Sequence, residues 1–236
     1  MDGILKCCLN GDRSRADHPG VPVSPAELAQ AAYDAAVAGA DAVHLHPRGA
    51  DGRESLRWAD VGAAVGAVRE RCPGLPVGVS TREEIEPDLD TRLALIGEWD
   101  AGPDFASVNW HEEGAERVAR LLLERGIGVE AGLFTPDAAR KFLTWRGPVV
   151  RVLVEAIPGI SPGTDGIAAA QAVLDILPAG VELVIHGEGE WAWPVLEWAR
   201  RQGYGLRAGF EDMLAGPGGE SVTDNGQLVG YMRSNR

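Results

Sequence analysis

The sequence predicts an α/β protein, a TIM (β/α)8 barrel of eight parallel strands ringed by helices. Short apolar runs alternate with longer helical patterns eight times along the chain, which is typical of a closed parallel sheet. The 236 residues are a common size for one such barrel. We find no linker, low-complexity tract or further repeat, so we expect a single barrel domain over residues 1–236.

The eight apolar runs are the predicted strands, since each is short and ends at polar or turn-forming residues. In chain order they are Ile4–Asn10, Ala42–Pro47, Pro76–Thr81, Phe105–Trp110, Gly128–Leu133, Arg151–Ala156, Val181–His186 and Gly205–Phe210. Helices are predicted near residues 25–39, 58–71, 88–99, 114–126, 136–145, 165–177, 190–202 and 223–233. Ser24 and Glu27 form a capping-box pattern around a first-turn proline, which predicts the start of the first helix.

A two-residue period sorts each strand into two faces, one apolar and one polar. On the second strand Val43 and Leu45 share one face, and two histidines share the other. The apolar face must meet the helices, so the polar face looks into the barrel. The other inward polar residues are Lys6, Asn10, Ser80, Ser107, Asn109, Glu130, Arg151, Glu155, His186 and Arg207. Buried charges are costly unless they are paired or coordinated, so this pattern favours a functional site.

His44 and His46 are the sharpest signal for chemistry. They project from one face at the carboxyl end of their strand, where active sites of this fold lie, and could bind one ion through imidazole nitrogens. Glu211 ends the eighth strand with the same inward parity. Two histidines, one carboxylate and an open position form a catalytic zinc pattern. On spacing alone, a polar strand end is an equal reading of the histidine pair.

Charged residues near this predicted zinc site could take part in the chemistry. Asp212 follows the predicted carboxylate ligand and could act as a base. Arg207 could contact the substrate or pair with Glu130 or Glu155 inside the barrel. A histidine in the position of His186 more often supports a ligand than acts as one, but its place at the end of the seventh strand keeps it a candidate.

Further polar residues follow the strand ends and are predicted to bind substrate. Arg48 could bind a carboxylate bidentately, and a solvated arginine is the equal alternative. Hydroxyls and amides could orient a carbonyl or carboxylate. The predicted substrate-binding set is Asn10, Arg48, Ser80, Thr81, Ser107, Asn109, Glu155 and His186.

Composition excludes some partners. A net charge of −13 argues against nucleic acid and anionic membranes, which are bound mainly by basic surfaces. No apolar run reaches the length of a membrane span, and the amino terminus does not resemble a signal peptide. The three cysteines do not suggest a disulfide framework. We therefore expect a cytoplasmic protein that acts on a small molecule.

Segments along nearly the whole chain resemble the β-keto acid cleavage enzymes, a zinc-dependent TIM-barrel family. They are Leu9-Asn10-Gly11, residues 21–27, Ala38-Gly39-Ala40, residues 44–48, Asp51-Gly52-Arg53, Val79-Ser80-Thr81, residues 106–109, residues 207–212 and residues 225–229. The resemblance implies a Claisen-type exchange, in which a β-keto acid and acetyl-CoA give acetoacetate and a new acyl-CoA. It also implies a homo-oligomer.

The resemblance assigns roles to individual residues of the site. It places one Zn2+ per chain on His44, His46 and Glu211 and the base role on Asp212. Arg207 would support the two acids, Glu211 and Asp212. The resemblance also places Ser80 and Ser107 near the substrate carboxylate or carbonyl.

Three segments depart from the family's pattern. Arg82-Glu83 stands where a glycine pair is usual, Gly189-Glu190 replaces a glycine-arginine pair, and Asp12 and Arg13 compete for the position of an expected acid. The chain also stops earlier than is usual. Two alternatives therefore stay open: another zinc-dependent barrel lyase or hydrolase that acts on a small carboxylate without CoA, and a metal-binding barrel without activity.

Overall fold

Eight parallel strands close into one barrel in the computed structural model, which describes residues 3–234. The strands are β1 (Leu5–Cys8), β2 (Ala42–Leu45), β3 (Val77–Ser80), β4 (Phe105–Asn109), β5 (Gly128–Leu133), β6 (Arg151–Ala156), β7 (Leu183–Gly187) and β8 (Gly205–Ala208). Each strand pairs with the next along the chain, and β8 pairs with β1. The predicted fold class is confirmed. Residues 1–2 and 235–236 of the predicted domain lie outside the described residues.

Helices follow the strands around the outside of the barrel. They are α1 (Pro25–Ala38), α2 (Trp58–Arg71), α3 (Leu89–Gly97), α4 (Ala115–Glu124), α5 (Pro136–Phe142), α6 (Gly166–Leu174), α7 (Ala192–Arg201) and α8 (Asn225–Ser234). The predicted capping box is present, because Glu27 N donates to Ser24 Oγ and Ser24 N donates to Glu27 Oε2 at 2.9 Å. Within residues 3–234, no helix has the length and hydrophobicity needed to cross a membrane.

Five strands (β1, β2, β3, β4 and β8) end earlier than predicted at the top of the barrel, and two of these ends bear on the site. The β2 strand stops at Leu45, one residue before His46, and β8 stops at Ala208 rather than Phe210. Gly209 ends β8, because its carbonyl accepts hydrogen bonds from the backbone N–H groups of two residues in a following turn. A Cβ on Gly209 would lie 1.9 Å from the carbonyl oxygen of Cys8, so β8 and β1 approach too closely there for a side chain.

One side chain of α8 closes the seam between β8 and β1. Asn225 Oδ1 accepts a hydrogen bond from Phe210 N at 2.8 Å, and its Nδ2 donates to the carbonyl oxygen of Leu9 at 2.9 Å. Asn225 is 1% exposed, so these bonds are shielded from water. The turn after β8 is thereby fixed to the end of β1.

The lower barrel holds a buried group of charges, Lys6, Glu130 and Arg151, which we call the lower cluster. Lys6 pairs with Glu130 Oε2, and Arg151 Nη1 lies 2.9 Å from Glu130 Oε1. The guanidinium of Arg151 also lies 5.0 Å from the centre of the Phe105 ring. These contacts confirm that the polar strand faces look into the barrel, and they satisfy both oxygens of the buried carboxylate.

Candidate metal centre

Three potential metal ligands converge at the carboxyl end of the barrel. His44 Nε2 lies 3.8 Å from Glu211 Oε2, and His46 Nε2 lies 3.5 Å from the same oxygen. One potential donor atom from each residue falls within 4.8 Å of the other two. The turn after β8 therefore brings Glu211 to the histidines, although that residue lies beyond the strand.

Two of these donors are buried polar atoms without hydrogen-bond partners among the described residues. They are His46 Nε2 and Glu211 Oε2. Buried polar atoms in native proteins are nearly always satisfied, and a divalent cation would satisfy this group. Two imidazoles and one carboxylate are also the donor set that suits a catalytic zinc. The residues present therefore fit the metal predicted from the sequence.

The charges at the site favour a cation as well. Burial raises the pKa of Glu211, but the charges of Arg207 and the two histidines outweigh it and hold that pKa well below its ordinary value. Burial holds the pKa of His44 well below its ordinary value. Burial also lowers the pKa of His46, but Glu211 and Glu54 reverse this and raise it. An ionised carboxylate and a neutral imidazole are the forms that bind metals.

His46 is held through its backbone and its ring. Its backbone N–H donates to Asn10 Oδ1 at 2.9 Å, and its carbonyl accepts from Asn10 Nδ2 at 2.9 Å. Its Nδ1 contacts Glu54 Oε1, and Arg82 Nη2 donates to Glu54 Oε2 at 2.5 Å. Asn10 therefore positions a predicted ligand.

A second buried cluster lies beside the ligands. Arg207 Nη2 donates to Asp212 Oδ1 at 2.9 Å and to Glu211 Oε1 at 2.5 Å, and its Nη1 donates to Glu155 Oε2 at 3.3 Å. His186 Nε2 lies 2.8 Å from Glu155 Oε2, and its Nδ1 lies 3.3 Å from Asp212 Oδ1. Of the two pairings considered for Arg207, the structure has the one with Glu155.

This second cluster keeps His186 and Asp212 charged. Burial lowers the pKa of His186, and Arg207 lowers it further, but Asp212 and Glu155 outweigh both and raise it to about 9. Burial raises the pKa of Asp212, but Arg207 and His186 outweigh it and hold that pKa below its ordinary value. Asp212 is therefore a carboxylate, the form that can accept a proton.

A cavity of about 440 Å3 opens above the potential metal ligands. Eight of the predicted site residues line it: His44, His46, Ser80, Ser107, Asn109, Glu155, Arg207 and Glu211. Two other cavities, of about 520 and 490 Å3, lie elsewhere and contain none of the predicted metal ligands. The chemistry of the 440 Å3 cavity makes it the candidate site.

Five predicted site residues do not line this cavity: Asn10, Arg48, Thr81, His186 and Asp212. Arg48 donates to the carbonyl oxygens of Gly11 and Arg13, so it connects two loops at the rim of the site. Thr81 Oγ1 donates to the Ser107 carbonyl at 2.7 Å. These two side chains therefore hold backbone carbonyls around the site in place.

Several residues that line the cavity or contact the potential ligands were not predicted as site residues. Glu54, Glu188 and the apolar Phe134, Ile157 and Ile160 all follow strand ends, and that position is the one signal that could have suggested them. Glu188 is half-buried in the cavity wall, where burial and the charge of Asp212 raise its pKa to about 7. In the sequence, an apolar residue that follows a strand cannot be distinguished from a residue of the hydrophobic core.

Comparison with known proteins yields one family and several relatives. A family profile described as beta-keto acid cleavage enzyme matches residues 3–235. A 3-keto-5-aminohexanoate cleavage enzyme from Fusobacterium nucleatum subsp. nucleatum is 25% identical over 244 residues, which cover 96% of this chain and 88% of that protein.

Solved structures share the fold at lower identity. ObcA with oxaloacetate has a TM-score of 0.72 at 17% identity, over 92% of this chain and 63% of that one. ObcA in a ternary complex with a C4-CoA adduct and oxalate has a TM-score of 0.73 at 18% identity, over 92% and 64%. The chain thus spans less than two thirds of ObcA. The N-acetylmannosamine-6-phosphate 2-epimerase of Clostridium perfringens has a TM-score of 0.60 at 12% identity, over 90% and 88% of the two chains.

Proposed function

The chain belongs to the β-keto acid cleavage enzyme family, and from this premise we propose that it is a zinc-dependent acyltransferase. It cleaves a β-keto acid and transfers the acyl fragment to CoA: the keto acid and acetyl-CoA become acetoacetate and a new acyl-CoA. The observation that carries the proposal is the convergence of His44, His46 and Glu211 beneath an open cavity, with buried donor atoms of His46 and Glu211 left unsatisfied.

The proposed metal is one Zn2+ held by His44, His46 and Glu211. When bound there, zinc supplies a Lewis acid that polarises the substrate ketone. The remaining chemistry belongs to the side chains around it. The hydroxyls of Ser80 and Ser107, with the amide of Asn109, lie in the cavity wall and are the proposed groups that orient the substrate carboxylate and carbonyl.

Asp212 is the proposed base. It is ionised, and Arg207 and His186 hold it in place from two sides. Because Asp212 is fully buried and does not line the cavity, the proposal requires a side-chain displacement on substrate binding that brings it within hydrogen-bond reach of the proton it accepts. Arg207 is the proposed supporting group that keeps Asp212 and Glu211 charged.

The comparisons support the choice of substrate and co-substrate by analogy. The ObcA complexes contain oxaloacetate, which is a small keto acid, and a CoA adduct. The relative from Fusobacterium nucleatum is named for cleavage of a keto acid. Homo-oligomerisation and a cytoplasmic location stay predictions.

The first experiment pairs metal analysis of the purified protein with a screen of β-keto acids, with and without acetyl-CoA. We expect about one zinc per chain and acyl-CoA formation from at least one keto acid. His46→Ala should lose both, because it removes a proposed ligand. His18→Ala removes a histidine outside the cavity and should keep both.

Other outcomes separate the alternatives. Zinc with keto acid cleavage that ignores CoA would favour a lyase or hydrolase. Zinc without any turnover would favour a metal-binding barrel without activity. A protein that binds no divalent metal would contradict the proposed function.

A further inference from the structure

The two histidines of the metal centre are supported unequally. His44 Nδ1 has no hydrogen-bond partner within the part of the chain that the structure describes, whereas His46 Nδ1 contacts the carboxylate of Glu54. In metal sites a carboxylate on the second ring nitrogen fixes the tautomer and the ring orientation, and it raises the basicity of the coordinating nitrogen. Of the two, only His46 has such a carboxylate partner among residues 3–234.

Local backbone structure brings Glu54 back to His46. After Pro47 the chain folds on itself: Arg48 and Glu54 form an antiparallel bridge, and Ser55 N donates to the Pro47 carbonyl at 2.9 Å. The side chain of Glu54 is 12% exposed, so its contacts are largely shielded from solvent. The loop after β2 thus delivers a carboxylate to the ligand that precedes it.

Arg82 holds the other oxygen of Glu54. Its Nη2 lies 2.5 Å from Glu54 Oε2 and 3.4 Å from the exposed carboxylate of Asp12. Arg82 N also donates to Ser80 Oγ at 3.3 Å, which fixes the start of the loop after β3. The guanidinium therefore links the loops after β1, β2 and β3 at the rim of the cavity.

We propose that Glu54 and Arg82 form a positioning relay for His46, which aims its Nε2 at the metal and sets the affinity of the centre. Glu54 acts directly on the imidazole, and Arg82 acts through Glu54. Neither residue is a ligand or a catalytic residue. The inference rests on the proposed function only in requiring that the site binds a divalent metal.

The test measures zinc affinity of the full-length protein by competition with a chromophoric chelator. We expect Glu54→Gln to weaken zinc binding about 10–100-fold, the range found when such partners of a metal-bound histidine are removed. Arg82→Gln should weaken it less. The double variant should resemble Glu54→Gln alone, because Arg82 acts only through that carboxylate.

Glu84→Gln is the matched control. It removes one negative charge from the same cavity without a contact to His46, and it should leave zinc affinity unchanged. A second readout is the nitrogen chemical shifts of the His46 ring in the zinc-loaded protein, which should change in Glu54→Gln and stay unchanged in Glu84→Gln.

The outcomes distinguish the relay from the proposed function. Wild-type protein that binds no zinc contradicts the metal-dependent function itself. Wild-type protein that binds zinc, with Glu54→Gln and Arg82→Gln equal to it, overturns the relay and leaves the function standing. If Glu54→Gln does not fold, Arg82→Gln decides: unchanged affinity overturns the relay, and weakened affinity supports it.

Discussion

The lower cluster and the metal centre are both groups of buried charge inside one barrel, and they differ in how completely they are satisfied. In the lower cluster, Glu130 has a cation on each oxygen, Lys6 on one and Arg151 on the other. In the metal centre, Glu211 has Arg207 on Oε1 and no hydrogen-bond partner among the described residues on Oε2. From this difference we assign a structural role to the satisfied cluster and the proposed metal-binding role to the unsatisfied one.

The largest expected effect is on stability, in the lower cluster. Lys6→Met leaves the fully buried Glu130 with Arg151 alone, and it should lower the free energy of unfolding by about 3–5 kcal/mol. Urea denaturation of the metal-free protein measures this change. The zinc content of the folded variant should equal that of wild type, because Lys6 does not line the metal cavity.

A double variant sharpens this test. Lys6→Met with Glu130→Leu removes both fully buried charges together, so it should recover most of the lost stability. If Lys6→Met were as stable as wild type, the lower cluster would not have the structural role that we assign to it.

The next effect concerns pH. Burial raises the pKa of Glu130, but Lys6 and Arg151 outweigh it and lower that pKa to about 2 from an ordinary value of 4.5. Since the folded protein then binds the proton more weakly than the unfolded chain, this carboxylate stabilises the fold above pH 4.5. That contribution, about 3 kcal/mol, should disappear as the pH falls from 4.5 to 2.

Urea denaturation at pH 6 and pH 3 measures this loss against the double variant as the reference. Other carboxylates titrate in both proteins, so their contributions cancel in the comparison. Wild type should lose more stability than Lys6→Met/Glu130→Leu over that interval, because only wild type contains Glu130. Equal losses would show that Glu130 does not carry the effect.

The smallest expected effect comes from a substitution at Gly11, whose backbone passes close to Glu211. Gly11 has a φ of +57°, and a Cβ there would lie 2.5 Å from Glu211 Cγ. Gly11→Ala should cost about 1–2 kcal/mol of stability and also weaken zinc binding, because the Glu211 side chain must move. Gly52→Ala is the control: its φ is +79°, and its Cβ would meet nothing within 4 Å. If both variants bind zinc equally, the contact with Glu211 is unimportant.

The barrel was predictable because its signal is periodic. Each strand has one apolar face, and the two-residue spacing that places Val43 and Leu45 against the helices also places His44 and His46 in the interior. The same pattern marked the lower cluster as polar and inward. Spacing alone could not tell the two groups apart, because pairing depends on distances between strands that are far apart in the sequence.

The contacts of loop residues could not be predicted from strand periodicity. Arg48 was predicted to bind a carboxylate or to be solvated, and instead its guanidinium donates to backbone carbonyls of the loop after β1. Glu54 was not predicted as a site residue, because nothing in the sequence shows that its loop folds back onto His46. Glu211 was predicted from strand parity, yet it lies in a turn, and the early end of β8 follows from the turn hydrogen bonds that the Gly209 carbonyl accepts.

The seam held by Asn225 bears on how the protein is made. His44 and His46 leave the ribosome early, whereas Glu211 and α8, whose Asn225 fixes the turn after β8, follow much later. A nascent chain that contains only the first half of the barrel therefore has two of the proposed ligands and lacks Glu211. Metal capture by the proposed centre would therefore report on the final closure of the barrel, because the site is not complete until the last helix has docked.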